Sequence, residues 1–337
     1  MKRHVNIPVF IPHLGCKNQC IFCNQRSISG VTEFDRSSVK RIIDEALETV
    51  NTDAEVEIAF FGGSFTGIDR DLMIYLLELA YSYVVSGKVQ SIRCSTRPDY
   101  INREILDILK KYGVRVIELG LQSTDEDVLL VTKRGHGSKA EREACKIIVE
   151  YGFSLVGQMM IGLPSSTPEK ELATADFIIS SGAKAARIYP TVVFYETELC
   201  EMAIKGLYSP LTVDEAVKRS ADVMKRFIDA GVDVIRVGLH SSENLRNDET
   251  YYAGPNHPAL GELVINEIYF NLIKEKLNKL NKIENQNINI VVGKGSLSKA
   301  IGQNKRNLKR LNELYPFLNI TFSEGNLPLE YSILLER

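Results

Sequence analysis

An alternation of short apolar runs with longer amphipathic stretches, kept up over the first 190 residues, restricts the fold more than any other feature of this sequence. The apolar runs at 9–13, 56–61, 90–95, 114–119, 154–159 and 185–189 are too short for helices and read as six strands. The stretches 38–50, 70–85, 103–112, 139–151 and 167–181 between them carry helical periodicity, with Thr167 placed as a cap and Pro168 as an early helical residue. Strands joined by crossover helices run parallel and are covered on both faces. The pattern therefore predicts an α/β fold, a partial (β/α)6 TIM-like barrel. In barrels the chemistry gathers at the C-terminal ends of the strands. Here those ends carry residues 13–23, Gly62-Gly63-Ser64, Ser95-Thr96-Arg97, Gln122-Ser123, Gln158-Met159-Met160 and Tyr189-Pro190.

At 337 residues the chain exceeds a usual single core, so a barrel domain over residues 1–240 and a small α/β extension over 241–337 are expected. No run approaches the roughly 20 apolar residues that cross a bilayer, so no membrane association is expected. The first residues lead straight into a short apolar run without a longer hydrophobic segment, which predicts a cytoplasmic location. Cys16, Cys20 and Cys23 fall together while Cys94, Cys145 and Cys200 are dispersed, a distribution that fits one metal site rather than a disulfide framework. Soft thiolates favour an iron-sulfur cluster or zinc, and His13 stands close enough in sequence to serve as a fourth zinc ligand. A cubane held by only three cysteines keeps one iron open.

With Phe22 just before the last cysteine and Gly62-Gly63 ending the next strand, the Cys-x3-Cys-x2-Cys loop resembles the radical S-adenosylmethionine (SAM) superfamily. That resemblance implies a [4Fe-4S] cluster on Cys16, Cys20 and Cys23, with SAM chelating the open iron through its methionyl amine and carboxylate. An external one-electron donor such as flavodoxin or ferredoxin is implied, as is a 5′-deoxyadenosyl radical that abstracts a substrate hydrogen. Phe22 then packs beside the adenine, or simply covers the cluster. Gly62 and Gly63, followed by Ser64, admit the methionyl amine, or form a tight turn. Ser95 and Arg97 read as cofactor residues; Arg97 meets a carboxylate of the cofactor, or pairs with Asp99 or Glu118. Gln122 and Ser123 face ribose or substrate, as do Gln158 and Met160 at the fifth strand, and Tyr189 completes the set, while Met159 reads as core.

The run Glu118-Leu119-Gly120-Leu121-Gln122-Ser123, with Lys133-Arg134-Gly135-His136, Met159-Met160-Ile161-Gly162-Leu163-Pro164 and Arg187-Ile188-Tyr189-Pro190-Thr191, resembles the catalytic subunit of elongator over roughly residues 5–240. Elongator's cysteine loop is spaced more widely, and fewer than a hundred residues follow Leu239, so its acetyl-CoA reaction is not carried over. Oxygen-independent coproporphyrinogen oxidase shares the tight cysteine spacing and keeps tetrapyrrole chemistry open beside RNA modification; a noncatalytic iron-sulfur RNA-binding protein is the third reading. Arg134 and His136, in a glycine-flanked loop, are candidate catalytic residues that read a phosphate or move a proton, or else order the loop by a salt bridge. His240 and His257 lie near a turn at 251–258 that reads as a lid or domain junction, and they either face the active site or are surface histidines.

The net charge of −2 excludes a uniformly basic nucleic-acid binder but conceals a local excess. Between 294 and 310 stand Lys294, Lys299, Lys305, Arg306, Lys309 and Arg310 without an acidic residue, which suits RNA phosphates. Strands at 288–292 and 318–322 and a helix at 297–311 are expected around them. The segment Ala300-Ile301-Gly302-Gln303-Asn304-Lys305-Arg306-Asn307-Leu308 resembles the glycine loop of a KH single-strand RNA module, with Lys305 in place of the second glycine; a basic solvated helix is the alternative. Lys2, Arg3, Lys17 and Arg26 extend the same positive field in sequence.

Overall fold

The computed structural model describes residues 4–29, 33–51, 53–239, 250–280, 286–327 and 330–336. In chain order the first half comprises β1 (His4–Ile11), α1 (Gln25–Ser29), α2 (Val39–Thr49), β2 (Glu55–Gly62), α3 (Arg70–Val85), β3 (Ser91–Thr96), α4 (Arg103–Lys111) and β4 (Val114–Gln122). It continues with α5 (Glu126–Val131), α6 (Ser138–Glu150), β5 (Ser154–Ile161), α7 (Pro168–Ser180), β6 (Ala185–Pro190), β7 (Val193–Phe194), α8 (Glu198–Ile204), α9 (Val213–Asp229) and β8 (Asp233–Val237). The sheet order β1-β2-β3-β4-β5-β6-β8 is parallel throughout and curls into an open half-barrel.

The two faces of the strands serve different purposes. Ile58, Phe60, Ile92, Cys94, Ile117, Leu119, Leu155, Met159 and Ile188 point outward and join Leu76, Leu77, Leu106, Ile148 and Ile178 of the helices in one core. Gly157 is glycine because a β-carbon there would lie 2.5 Å from Ile178 of α7. Thr167 caps α7 by accepting from the Lys170 amide at 3.3 Å, with Pro168 at the first turn as read from sequence. Two corrections concern the sheet. The first strand ends at Ile11 rather than at His13, so the cysteine loop begins sooner. A seventh strand, β8, was missed because it buries no residue fully, and Ile235 is 44% exposed.

The second half contains β9 (Tyr251–Ala253), α10 (Leu260–Asn278), β10 (Gln286–Gly293), α11 (Leu297–Ile301), α12 (Arg306–Leu314), β11 (Leu318–Gly325) and β12 (Ile333–Glu336). The segment at 251–258 opens with strand β9, which pairs antiparallel with β7, rather than being turn alone. His257 accepts the Ala259 amide on Nδ1 at 3.1 Å and so steadies the start of α10. His240, Lys2 and Arg3 lie outside the described residues. Helix α10 serves two cores: Leu260, Leu263, Val264 and Ile268 pack on the barrel, while Tyr269, Phe270, Ile273 and Leu277 pack on a small sheet of order β11-β10-β12.

The single helix expected at 297–311 is two helices, because Gly302, Asn304 and Lys305 all have positive φ, at 81°, 53° and 59°. Asn307 closes this break by donating from Nδ2 to the Ala300 carbonyl at 3.1 Å and the Asn266 carbonyl at 2.7 Å. Among the described residues no helix is long and apolar enough to cross a membrane.

Candidate active site

The loop between β1 and α1 holds all three clustered cysteines, and it is docked on the end of β2 backbone to backbone. The Gly63 amide donates to the Ile11 carbonyl at 2.8 Å, and the Ser64 amide to the Leu14 carbonyl at 3.1 Å. A β-carbon on Gly63 would stand 2.0 Å from Leu14 O, and one on Gly15 2.2 Å from Ser64 O. Gly62 has φ 108°, which only glycine tolerates readily. The close approach that Gly62 and Gly63 permit is thus to the chain's own cysteine loop. Gln25 ties the other side: its Nε2 donates to the Gly62 carbonyl at 2.7 Å and its Oε1 accepts the His13 amide.

His13 Nε2 accepts the Gln25 amide at 3.0 Å, so that ring nitrogen is committed to the loop rather than aimed at a metal. Among the described residues no three His, Cys, Asp or Glu side chains converge as the ligands of a single ion do. The hydrogen bond to His13 disfavours the zinc reading, which needs that ring as its fourth ligand. Burial, followed by the neighbouring Cys20 and Cys16, pushes the Cys23 thiol up to about 12; burial also raises Cys16, against the pull of Arg97. Three thiols so placed become thiolates when a shared cationic centre takes them as ligands.

A second test of fit comes from Arg134. It is 4% exposed, and its Nη1 donates to Cys20 Sγ at 3.1 Å while Nη2 donates to the Gly120 carbonyl. Its Nε has no partner, and among the described residues no carboxylate lies within ion-pair distance of it. A buried, unpaired guanidinium is costly unless an anion accompanies it. An iron-sulfur cluster on three thiolates is such an anion, so the residues present fit the group.

Arg97 differs. Its Nε and Nη2 bind Asp99 at 2.9 and 3.1 Å, Nη2 also donates to the Arg134 carbonyl, and Nη1 reaches Cys20 Sγ at 3.7 Å. Of its alternatives, the structure shows the Asp99 pair. Ser64 Oγ lies 2.9 Å from Thr96 Oγ1 and accepts the Arg97 amide at 3.1 Å, bracing β2 against β3. Ser123 Oγ accepts the Asp125 amide. Gln122 sits at a bulge with φ 71°, buried, and its Oε1 has no partner. An unsatisfied acceptor on strained backbone at a strand end suits a ligand contact. Phe22 packs against the small core of Ile21, Val193, Leu199 and Cys200, roofing the loop.

The loop after β4 places His136 differently from the expectation of an accessible acid or base. Its side chain is 2% exposed and 3.8 Å from the buried Glu141, and neither ring nitrogen nor either carboxyl oxygen has a hydrogen-bond partner. Burial lowers His136 to about 4, helped by the Arg134 charge, and burial lifts Glu141 to about 9. Both are neutral at pH 7, so the approach is not an ion pair.

The concave face carries a charged ladder that the sequence reading missed. Arg93 bridges Glu57 at 2.7 Å and Glu118 at 2.8 Å, and Glu118 is bound by Arg187 at 2.9 Å. Burial would raise Glu57, but the Ser91 hydroxyl, Arg93 and His4 hold it below the usual carboxylate range. Ser95 Oγ lies 3.5 Å from Glu118, and the Tyr189 hydroxyl 3.4 Å from Arg187. Gln158 is half-buried on the same side of the sheet. Charged residues inside otherwise apolar strands, at 57, 93, 118 and 187, were the available signal.

In the C-terminal unit three of the six basic residues are matched by acids from elsewhere in the chain: Lys299 by Glu330, Arg306 by Asp214 and Arg310 by Glu267. Lys294, Lys305 and Lys309 have no such pair among the described residues. Gln303, Asn304, Arg306, Lys309 and Arg310 line, with His257, a cleft of about 550 Å³ between the barrel and this unit.

Comparison with known proteins adds kinship to geometry. Residues 10–178, half of the 337, match the family described as Radical SAM superfamily, and residues 183–269 match the Radical SAM C-terminal domain. Elongator complex protein 3 of Dictyostelium discoideum is 26% identical over 254 residues, covering 63% of this chain and 45% of that protein. The tRNA uridine(34) acetyltransferase of Dehalococcoides mccartyi is 28% identical over 176 residues, covering 46% of this chain and 38% of that protein. The chain thus spans less than half the length of both. The solved structure of archaeal Methanocaldococcus infernus Elp3, lacking its N-terminus, shares the fold with a TM-score of 0.64 at 18% identity, over 89% of this chain and 68% of that one.

Proposed function

The chain belongs to the radical SAM superfamily, on the side of it that resembles elongator's catalytic subunit, and is an enzyme of that class; from this premise we propose that it uses a [4Fe-4S] cluster and SAM to modify RNA, with tRNA the first substrate to try. Cys16, Cys20 and Cys23 would hold the cluster. When bound, cluster and SAM supply reductive cleavage of the sulfonium to a 5′-deoxyadenosyl radical that takes a hydrogen atom from substrate. The remaining tasks fall to this chain's residues. Backbone docking through Gly62 and Gly63 fixes the loop, Phe22 keeps water from one side of it, and Arg134 and Arg97 donate N–H groups to the Cys20 sulfur. The unpaired Gln122 Oε1 offers an acceptor at the mouth of the barrel, and the neutralised Glu57–Arg93–Glu118–Arg187 ladder offers a polar wall without net charge. The electron comes from outside, from a donor such as flavodoxin or ferredoxin.

The RNA part rests on one observation: the β10–α11–α12–β11 unit, whose connecting turn, with positive φ at Gly302 and Lys305, stands where the resemblance puts a glycine loop for a nucleic-acid backbone. The kinship with one protein named a tRNA uridine(34) acetyltransferase supports it. The test incubates the reconstituted chain with SAM and dithionite, separately with tRNA, a porphyrinogen and a metabolite pool. RNA should raise 5′-deoxyadenosine formation several-fold. Changing Lys294, Lys305 and Lys309 together to Gln should weaken RNA binding by about 0.5–1 kcal/mol per phosphate lost and flatten its salt dependence. Stimulation by porphyrinogen alone, with RNA affinity unchanged by the substitutions, would replace RNA with a small substrate.

A further inference from the structure

Two guanidinium groups converge on one cysteine sulfur, and they are not equivalent. Arg97 and Arg134 both point an Nη1 at Cys20 Sγ, at 3.7 and 3.1 Å. The Arg97 charge is answered by Asp99 in a two-point pair, so what reaches the sulfur from that side is closer to a dipole. Arg134 has no carboxylate partner among the described residues. The acid buried in its neighbourhood, Glu141, is kept protonated by its burial and so does not cancel the charge. Arg134 is also rigidly set. Its Nη2 holds the Gly120 carbonyl, its own carbonyl accepts from Arg97, and the next residue, Gly135, packs so closely on Asn18 that a β-carbon would meet Asn18 Nδ2 at 1.8 Å. The loop after β4 is therefore locked to the cysteine loop with one uncompensated positive charge facing Cys20.

We propose that Arg134 sets the reduction potential of the cluster, its guanidinium stabilising the reduced, more negative state through the Cys20 sulfur, with the Arg97–Asp99 pair as a weaker counterpart. The inference rests on the function proposed above. Hydrogen bonds to cluster sulfurs and nearby charge are the terms by which a protein raises such a potential. The residue takes no part in bond breaking; it makes the cluster easier to charge with the single electron that an external donor supplies.

The experiment is an anaerobic redox titration of the reconstituted full chain with dithionite and mediators, reading the EPR signal of the reduced cluster, with iron and sulfide counted per chain. At the wild-type midpoint, Arg134→Gln should lower the ratio of reduced to oxidised cluster about tenfold, equivalent to about 59 mV for one electron. Arg134→Lys, which keeps the charge, should stay within about threefold of wild type. Asp99→Asn, which leaves both arginines in place and frees the Arg97 charge, should raise the ratio. Equal midpoints for wild type and Arg134→Gln at full iron content would overturn the proposal, as would an Asp99→Asn ratio unchanged or lowered. Should Arg134→Gln fail to hold iron, Arg134→Lys and Asp99→Asn decide together, a ratio more than threefold below wild type for the first, or unchanged or lowered for the second, overturning the proposal. A wild-type chain that assembles no cluster would instead overturn the function on which the inference rests.

Discussion

Gly63, read from sequence as a cofactor residue, also has a duty toward the chain itself. The strand-end glycines suggested room for a cofactor, yet the nearest atom to an added β-carbon is the Leu14 carbonyl oxygen, 2.0 Å away. Gly63→Ala should therefore cost on the order of 1–3 kcal/mol of stability in the metal-free chain, read as a fall in thermal midpoint. An unchanged midpoint with loss of SAM binding would restore the cofactor explanation. That the three cysteines share one loop was legible because they stand within eight residues of each other. The partnerless state of Arg134 was not, since it depends on which carboxylates the fold brings near.

Glu141 yields a pH prediction. Its folded value near 9 exceeds its ordinary 4.5, so the folded state holds a proton that the unfolded chain releases, and stability falls as pH rises between those values. His136 works oppositely below its ordinary 6.5, down to about 4, offsetting the fall there. The uncompensated loss should thus appear from about pH 6.5 to 9 and vanish in Glu141→Gln. Parallel pH profiles for variant and wild type by denaturant unfolding would contradict the burial argument.

At the scale of elements, strands and crossover helices of the barrel could be read because apolar period and length agree, as in α3, whose bounds match the expectation of 70–85. The charged ladder escaped because it links residues 57, 93, 118 and 187, which only the register of four strands makes neighbours. The helix break at 302–305 was half visible: Gly302 marked it, whereas Lys305, with φ 59°, hid a left-handed position behind a residue that reads as helical. Lys305→Gly should relieve that strain and stabilise the chain by about 0.5–1 kcal/mol, the glycine's added chain entropy taking back part of the gain. A destabilised variant would mean the lysine side chain holds the turn.

For the molecule as a whole, α10 shares its apolar residues between the half-barrel core and the small sheet, which sets the basic turn beside the barrel across a cleft lined by His257 and Arg306. Charge counted along the sequence overstated the free positive surface there, because Asp214, Glu267 and Glu330 arrive from distant segments to pair with three of its residues. Under the proposed function, the loop after β1 holds a cluster that cleaves SAM. This proposal is tested most directly by reconstituting the chain anaerobically, adding SAM and dithionite, and measuring 5′-deoxyadenosine by mass spectrometry beside iron content. Wild type and Cys94→Ala should both form the product, while Cys16→Ser, Cys20→Ser and Cys23→Ser each lose cluster iron and product together. Product formed equally by all five proteins, or by none despite a full complement of iron and sulfide in wild type, would contradict the account.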